Sequence, residues 1–524
     1  MKSEIRPIDE SLSEFLRDES RSTGSADTIS FPTSEEEIRE TVKSEYSQGH
    51  RITVQGGRTG LAAAAVPNGG HVLNLSRMNK ILGMRQENGV FYVTVEPGTV
   101  LSELKKALSS KKIPTAAFDA QSMEAYRAFC ASPLQQFPPD PTESSATIGG
   151  MTACNASGAR SYHYGATRNW VEGLRLVLSD GDVLLLKRGQ TFADGKKLTL
   201  TSVGGRTITV DLPSHTMPKT KNASGYFTAD NMDAVDLIIG SDGTLGVLSA
   251  IELRLCPEPE IMWGLTCFFG SEDSAARFVD LTRRAIGNLA SLEYFDCGAL
   301  TLLRRQKEQT TAFARLEKIP EDADCAVYTE IHCQNEDEAY RSLFTVGDIM
   351  RQCGADESKT WVARTAQDRD RLYFFRHATP ESVNMTIDKR KKETPGLTKL
   401  GSDMSVPDEA LVRVLHMYNE DLQAAGLEYV KFGHIGNNHL HVNILPRNME
   451  DYKAGKAIFK KWAEEITKMG GAVSAEHGVG KLKAAFLEVM YGHEGIAAMA
   501  RIKRSFDPAG LFGTGNLFNP ADFE

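Results

Sequence analysis

The spacing of apolar and polar positions changes rhythm along this chain, and each change predicts an element. Residues 34–48, SEEEIRETVKSEYSQ, have the charge density and spacing of an exposed helix with Ser34 as its cap. Residues 51–54 form a short β-branched strand that empties at once into Gln55-Gly-Gly-Arg-Thr-Gly60. Strands are expected at 71–75 and 90–95, a turn at Glu96-Pro-Gly98 and a helix over 99–109. Residues 170–178 and 182–186 predict a hairpin over Ser179-Asp-Gly181. Residues 237–239 read as an apolar strand, and 247–255 alternate like a strand with one buried face.

Pro257-Glu-Pro259 breaks this strand-rich pattern and predicts the end of a first domain. Beyond it, strands at 261–269 and 326–333 alternate with helices over 271–288 and 337–353, and a further helix at 452–469 precedes Gly470-Gly471. Such alternation suits an α+β domain built on an antiparallel sheet. The domain reading is therefore 1–256, 257–470 and a closing segment 471–524.

The stretch 137–165, FPPDPTESSATIGGMTACNASGARSYHYG, follows neither rhythm. Pro138, Pro139 and Pro141 fix φ and remove amide donors, while Gly149, Gly150, Gly158 and Gly165 let backbone come close to something else. Thr142, Ser144, Ser145, Thr147, Thr152, Asn155, Ser157 and Ser161 supply hydrogen-bonding groups. A structural connector and a ligand-lining loop both fit, although loops beyond about 12–15 residues are more often functional or disordered than neutral.

Composition narrows the classes. The 524 residues are 41% hydrophobic and 25% charged, as in ordinary globular proteins, and a net charge of −9 argues against nucleic acid as the main partner. The polar, acidic N-terminus does not read as a signal peptide, and no run reaches the ~18–20 apolar residues of a membrane span. Eight scattered cysteines without a C-x-x-C pair point away from a disulfide framework, an iron–sulfur cluster or a thiolate zinc site. The expectation is a cytoplasmic protein with at most peripheral membrane contact.

Two groups of residues carry candidate chemistry. Backbone N–H groups at the end of strand 51–54 can converge on an anion, but GGRTG is neither a Rossmann fingerprint nor a lysine-bearing phosphate loop. By itself it fits a structural turn as well as a phosphate cradle. In FGHIGNNHLHVN, residues 432–443, period-two alternation places His439, His441 and Asn443 on one face, and a turn at Gly436 can fold His434 back toward them. Glu476 and His477 lie farther on, between small residues. Two imidazoles and a carboxylate suit Zn²⁺ or a neighbouring divalent ion, and spacing alone leaves ligation and structural histidines equally open.

GGRTGLAAAAVP, PPDPTESSATIGGMTACNASGARSYHYG and GSDGTLGV, in this order, resemble the flavin-binding domain of the vanillyl-alcohol oxidase/p-cresol methylhydroxylase superfamily. The resemblance is strongest to the glycolate oxidase large subunit and the D-lactate and D-2-hydroxyglutarate dehydrogenases. It implies FAD held between two α+β subdomains, with an α+β cap domain over them. Gly56, Gly57, Arg58, Thr59, Gly60 and Leu61 would take the pyrophosphate. Pro141, Thr142, Ser145, Thr147, Gly149, Gly150, Asn155, Ser157, Gly158, Gly165, Asp242, Gly243, Gly246 and Val247 would line the ring and ribityl chain, with Asn516 in a closing segment that returns to the flavin. Asp242 stands where the family usually has Glu, and Arg58, where a small residue is usual, would add a cation near the phosphates. The glycine loop lacks a tethering histidine, so FAD is expected to be noncovalent.

The same resemblance implies a metal site at His434, His441 and Glu476, with Zn, Mn or Fe as the ion. It gives His477 the role of general base, Asn443 a contact to substrate or flavin, and Arg376 a pairing with the substrate carboxylate, for which a guanidinium fork is apt. Lys399 would be a second cationic contact, although its spacing to Asp403 is two residues longer than in some relatives, and His439 would stand behind the ligands. The implied activity is oxidation of a small D-2-hydroxy acid to the 2-oxo acid. Electrons would then pass to a quinone, a cytochrome, an electron-transfer flavoprotein or oxygen, and a homodimer is compatible with this reading. A non-redox flavin synthase of the alkylglycerone-phosphate type and a non-catalytic flavin-binding subunit are the alternatives.

Overall fold

Ser34 accepts a hydrogen bond from the amide of Glu37 and so caps helix Glu35–Ser47 where the charge pattern places it. The structure, a computed structural model, describes residues 3–519, so the outermost residues of the first and last expected segments (1–2 and 520–524) lie outside it. Strand His71–Asn74 runs parallel to both Thr28–Ser30 and Ile52–Gln55, and Arg6–Pro7 adds an antiparallel edge to this four-stranded sheet. Ile38 and Val42 of the helix pack on Ile52 and Leu73 of that sheet, and on Val177 and Val247 of the next.

The next sheet has five antiparallel strands in the order Ile81–Glu87, Val90–Val95, Val247–Arg254, Val171–Val177 and Val183–Lys187. Its last two strands are the expected hairpin, with Val177 opposite Val183. Val247–Arg254 differs from expectation, because its first five residues are all buried. It is a central strand covered on both faces: Val247 meets helix Glu35–Ser47, and Leu248 and Ile251 meet the core that contains Ile148 and Met151. Residues expected as a strand at 237–239 instead fall in and just after the single helical turn Val235–Ile238. A short apolar run has no period with which to separate the two states.

Cys256–Pro257 pairs with Gln135–Gln136 and closes the first half. The second half is built on an antiparallel sheet in the order Trp361–Ala363, Ile261–Phe269, Cys325–Cys333, Leu289–Phe295, Tyr429–Gly433, His439–Ile444 and Leu400–Gly401, and Met404–Ser405 also pairs with His439–Ile444. All nine residues of Cys325–Cys333 are buried. Val327 and Ile331 face helices Glu272–Ala285 and Glu336–Gln352, while Ala326 and Tyr328 face helices Cys297–Gln309 and Ala366–Lys391. Two covered faces explain why these strands read as continuous apolar runs. The architecture is the expected α+β arrangement, with the second half built on an antiparallel sheet.

Candidate functional site

Strand Ile52–Gln55 delivers the glycine loop to the mouth of a cavity of about 710 Å³ between the two halves. Gly56 through Leu61 line it, with Pro141, Thr142, Thr147, Gly149, Gly150, Ser157, Asp242, Gly243 and Gly246. The amide of Gly57 reaches Thr147 Oγ1 at 3.4 Å, whereas among the described residues nothing accepts from the amides of Arg58, Thr59, Gly60 and Leu61. Successive unpaired N–H groups after a strand are what a pyrophosphate needs, so this loop fits FAD. Close approach is literal here: a Cβ on Gly56 would lie 2.2 Å from Thr147 Oγ1.

The 137–165 stretch is more ordered than its composition suggests. Gly149 and Gly150 lie inside helix Ile148–Cys154, capped by Thr147, and a Cβ on Gly149 would fall 2.8 Å from Pro97 O. Other residues expected at the flavin do not line this cavity. Asn155 caps that helix and accepts from the Arg168 amide, and a Cβ on Gly158 would lie 2.1 Å from Asp140 O. Ser145 O lies 2.9 Å from the position of a Cβ on Gly57, Gly165 packs on Asn169, and Val247 is buried in the sheet. Asn516 donates to Ala64 O and Asp242 O, so the closing segment does return to the glycine loop. Arg58 bonds Glu14 at 2.8 Å and lies over the Phe15 ring, so its charge is already paired rather than free for phosphate.

The metal-ligand candidates converge. Strand Tyr429–Gly433 pairs with His439–Ile444, and a turn over Ile435–Asn437, closed by Asn438 at φ 51°, returns the chain so that His434 lies beside both strand histidines. Gly433 has φ 121°, and a Cβ there would meet the His441 ring at 2.8 Å. Glu476 Oε1 lies 3.1 Å from His434 Nε2, 3.2 Å from His441 Nε2 and 3.5 Å from His477 Nε2. His434 Nδ1 is 2.6 Å from Glu293 Oε1, and His441 Nδ1 is 3.1 Å from Ser402 O. Each Nδ1 thus has an acceptor, which would leave each Nε2 lone pair for an ion shared with Glu476. Such outer partners are what fixes the tautomer of a metal-binding histidine, and the residues fit a divalent ion. His439 Nε2 lies 3.0 Å from Asp403 Oδ1 without hydrogen-bond alignment, behind the other two.

Charges here compensate one another. Burial alone would raise the Glu476 carboxyl, but His434 and Lys221 outweigh it and hold it well below the usual range. Burial likewise opposes ionisation of Glu293, yet Arg376 and His434 hold it at about 2. Burial lowers His441 against the pull of Glu476, while His434 is raised because Glu293 and Glu476 overcome its burial.

His477, Asn443 and Lys399 line the cavity. Arg376 does not: its Nε is 3.0 Å from Glu293 Oε2, which places it behind His434. Asp403 accepts from the amides of Glu476 and His477 and from Ser474 Oγ, and it pairs with Lys483, so it shapes the turn that brings both Glu476 and His477 to one site. Lys221, Glu293 and Asp403 had no motif to mark their roles; a lone Glu in the apolar run LASLEYF was the one available signal. Glu19, Ser20 and Arg21 also line the cavity, and Arg21 bonds Asp388 of the cap at 2.5 Å.

Both halves of the chain match known protein families. Residues 259–517 match the family described as FAD linked oxidases, C-terminal domain, and residues 26–125 and 122–187 match an FAD binding domain. The D-lactate dehydrogenase of Anaerostipes hadrus is 27% identical over 97% of this chain and 93% of its own. The D-2-hydroxyglutarate dehydrogenase of Stutzerimonas stutzeri is 27% identical over 94% and 90%, and the glycolate oxidase subunit GlcD of Bacillus subtilis 26% over 90% and 84%. In fold, the chain is similar to a 4-ethylphenol oxidase from Gulosibacter chungangensis (TM-score 0.65, 17% identity, covering 98% and 94%) and to an alkyldihydroxyacetonephosphate synthase (TM-score 0.58, 14%, covering 94% and 76%). Among the described residues no helix is long and apolar enough to cross a membrane.

Proposed function

Because the chain belongs to the FAD linked oxidases, an oxidoreductase family, we propose that it oxidises a small D-2-hydroxy acid to the 2-oxo acid with FAD and one divalent ion. The observation that carries this reading is the convergence of His434 and His441 Nε2 on Glu476 Oε1 in the cavity that the glycine loop also lines. Gly56–Leu61 would hold noncovalent FAD, and His434, His441 and Glu476 would hold the ion. When bound, FAD supplies the two-electron acceptor and the ion a Lewis acid that lowers the pKa of the substrate hydroxyl.

The chain's own residues do the rest. His477 Nε2 accepts the hydroxyl proton, and Asp403 Oδ2, 3.5 Å from Nδ1, stabilises the imidazolium that results. Lys399, one of the cations that line the cavity, would pair with the substrate carboxylate, and Asn443 lines the same cavity. Arg376 acts through Glu293 on His434 instead. Reduced enzyme then needs an external electron acceptor. Anaerobic mixing with paired D- and L-2-hydroxy acids should bleach the flavin band with D isomers alone. Prolonged chelation should prevent bleaching, and one divalent ion should restore it. Flavin that no 2-hydroxy acid bleaches would end this reading.

A further inference from the structure

The two oxygens of Glu476 have different neighbours. Oε1 faces His434, His441 and His477, all from the second half or the closing segment. Oε2 is held by two residues of the flavin half: Lys221 Nζ at 2.6 Å and Ser157 Oγ at 3.1 Å. Lys221 has only 5% of its side chain exposed, and its main chain is fixed, with Ser405 Oγ donating to Lys221 O at 2.6 Å. Two residues on, the Ala223 amide donates to Ser474 O at 2.8 Å, so the segment is tied to the irregular stretch that leads into Glu476.

We propose that Lys221 and Ser157 are positioning residues that confine Glu476 to binding the ion through Oε1 alone. The inference rests on the metal reading above. A carboxylate can offer both oxygens to a cation, and large oxygen-seeking ions exploit that bidentate mode. A charge-assisted bond to a buried lysine removes Oε2 from the competition. What remains is two imidazole nitrogens and one oxygen with positions open for substrate, a set that suits zinc and cobalt better than oxygen-seeking ions. A metal centre whose ligands come from the second half and the closing segment is thus set by a lysine from the flavin half.

The test is metal binding to the FAD-loaded full chain, measured by titration with Zn²⁺, Mn²⁺ and Co²⁺ and by the visible d–d spectrum of the Co²⁺ form. Lys221→Met frees Oε2 and also removes a nearby positive charge. Loss of that charge strengthens binding of every divalent ion alike, so the ratio of Mn²⁺ to Zn²⁺ affinity isolates the change in coordination. The ratio should move toward Mn²⁺ by about tenfold, the Co²⁺ band should weaken as an oxygen is added, and Lys221→Arg should restore both. If Lys221→Met loses the ion altogether, Ser157→Ala decides, with a smaller shift in the same direction. An unchanged ratio and spectrum in the variants that bind would overturn the proposal. Wild-type chain that binds none of the three ions would instead overturn the metal reading itself.

Discussion

Residues 56–61 and residues 434–443 face one cavity but use different parts of the polypeptide to do so. The glycine loop presents unpaired amides and owes its shape to missing side chains, such as the absent Cβ that keeps Gly56 clear of Thr147. The histidine cluster presents side chains, and each is tied to a further charged or polar group: His434 to Glu293, Glu293 to Arg376, Glu476 to Lys221. Damage to the first should therefore be steric and confined to flavin. Damage to the second should be electrostatic and confined to metal and chemistry.

The largest effect expected is from Glu476→Ala, which should abolish metal binding and turnover while the flavin spectrum persists. Loss of flavin together with metal would break the separation. His477→Ala should retain both and slow anaerobic flavin reduction by about 10²–10⁴-fold, the usual worth of a general base. Reduction at the wild-type rate would make His477 structural and move the search to His439.

Asp242 sharpens the comparison from the cradle side. It accepts from the amides of Val479 and Gly480 at 3.0 and 2.8 Å. Burial lifts it to about 6 from an ordinary 3.8, against the pull of those amides. A carboxyl that holds its proton more tightly when folded contributes stability that is complete below pH 3.8 and is lost as pH rises through 6. That contribution is about 3 kcal/mol. Asp242→Asn should thus gain on wild type by that order between pH 4 and 7 in thermal or urea unfolding; parallel pH profiles would show the carboxyl to be unperturbed.

Gly56→Ala should weaken FAD binding by about 1–3 kcal/mol through overpacking against Thr147, with the metal affinity unmoved. The smallest effect belongs to Arg58→Met. Since Arg58 already pairs with the exposed Glu14, its loss should change FAD affinity by less than about fivefold, as for a surface ion pair. A larger fall would restore the guanidinium to the phosphates.

What was legible in the sequence followed from periodicity and turn chemistry. Period two placed His439 and His441 together, Gly436 marked the turn that returns His434, and the strand before Gly56 marked the anion loop. Partners separated by hundreds of residues were not legible. Lys221 reaches Glu476 across 255 positions and Glu293 reaches His434 across 141, and neither pairing has a local spacing that could announce it. The pairing of Arg58 with Glu14 was hidden for the same reason: Glu14 lies on a segment whose path depends on the finished fold.

The glycine loop is finished by the far end of the polypeptide. Ile52 donates to Leu511 O, Lys481 donates to Ala62 O, and Asn516 donates to Ala64 O across 452 positions. At about 5–20 residues per second, a ribosome adds those residues roughly 20–90 seconds after the loop itself has emerged. For that interval the first half is a cradle without its last wall, so secure capture of FAD waits until residues 481–516 have been added. Cofactor shortage would then show as a pool of completed, colourless protein that turns yellow on late addition of FAD, without new synthesis.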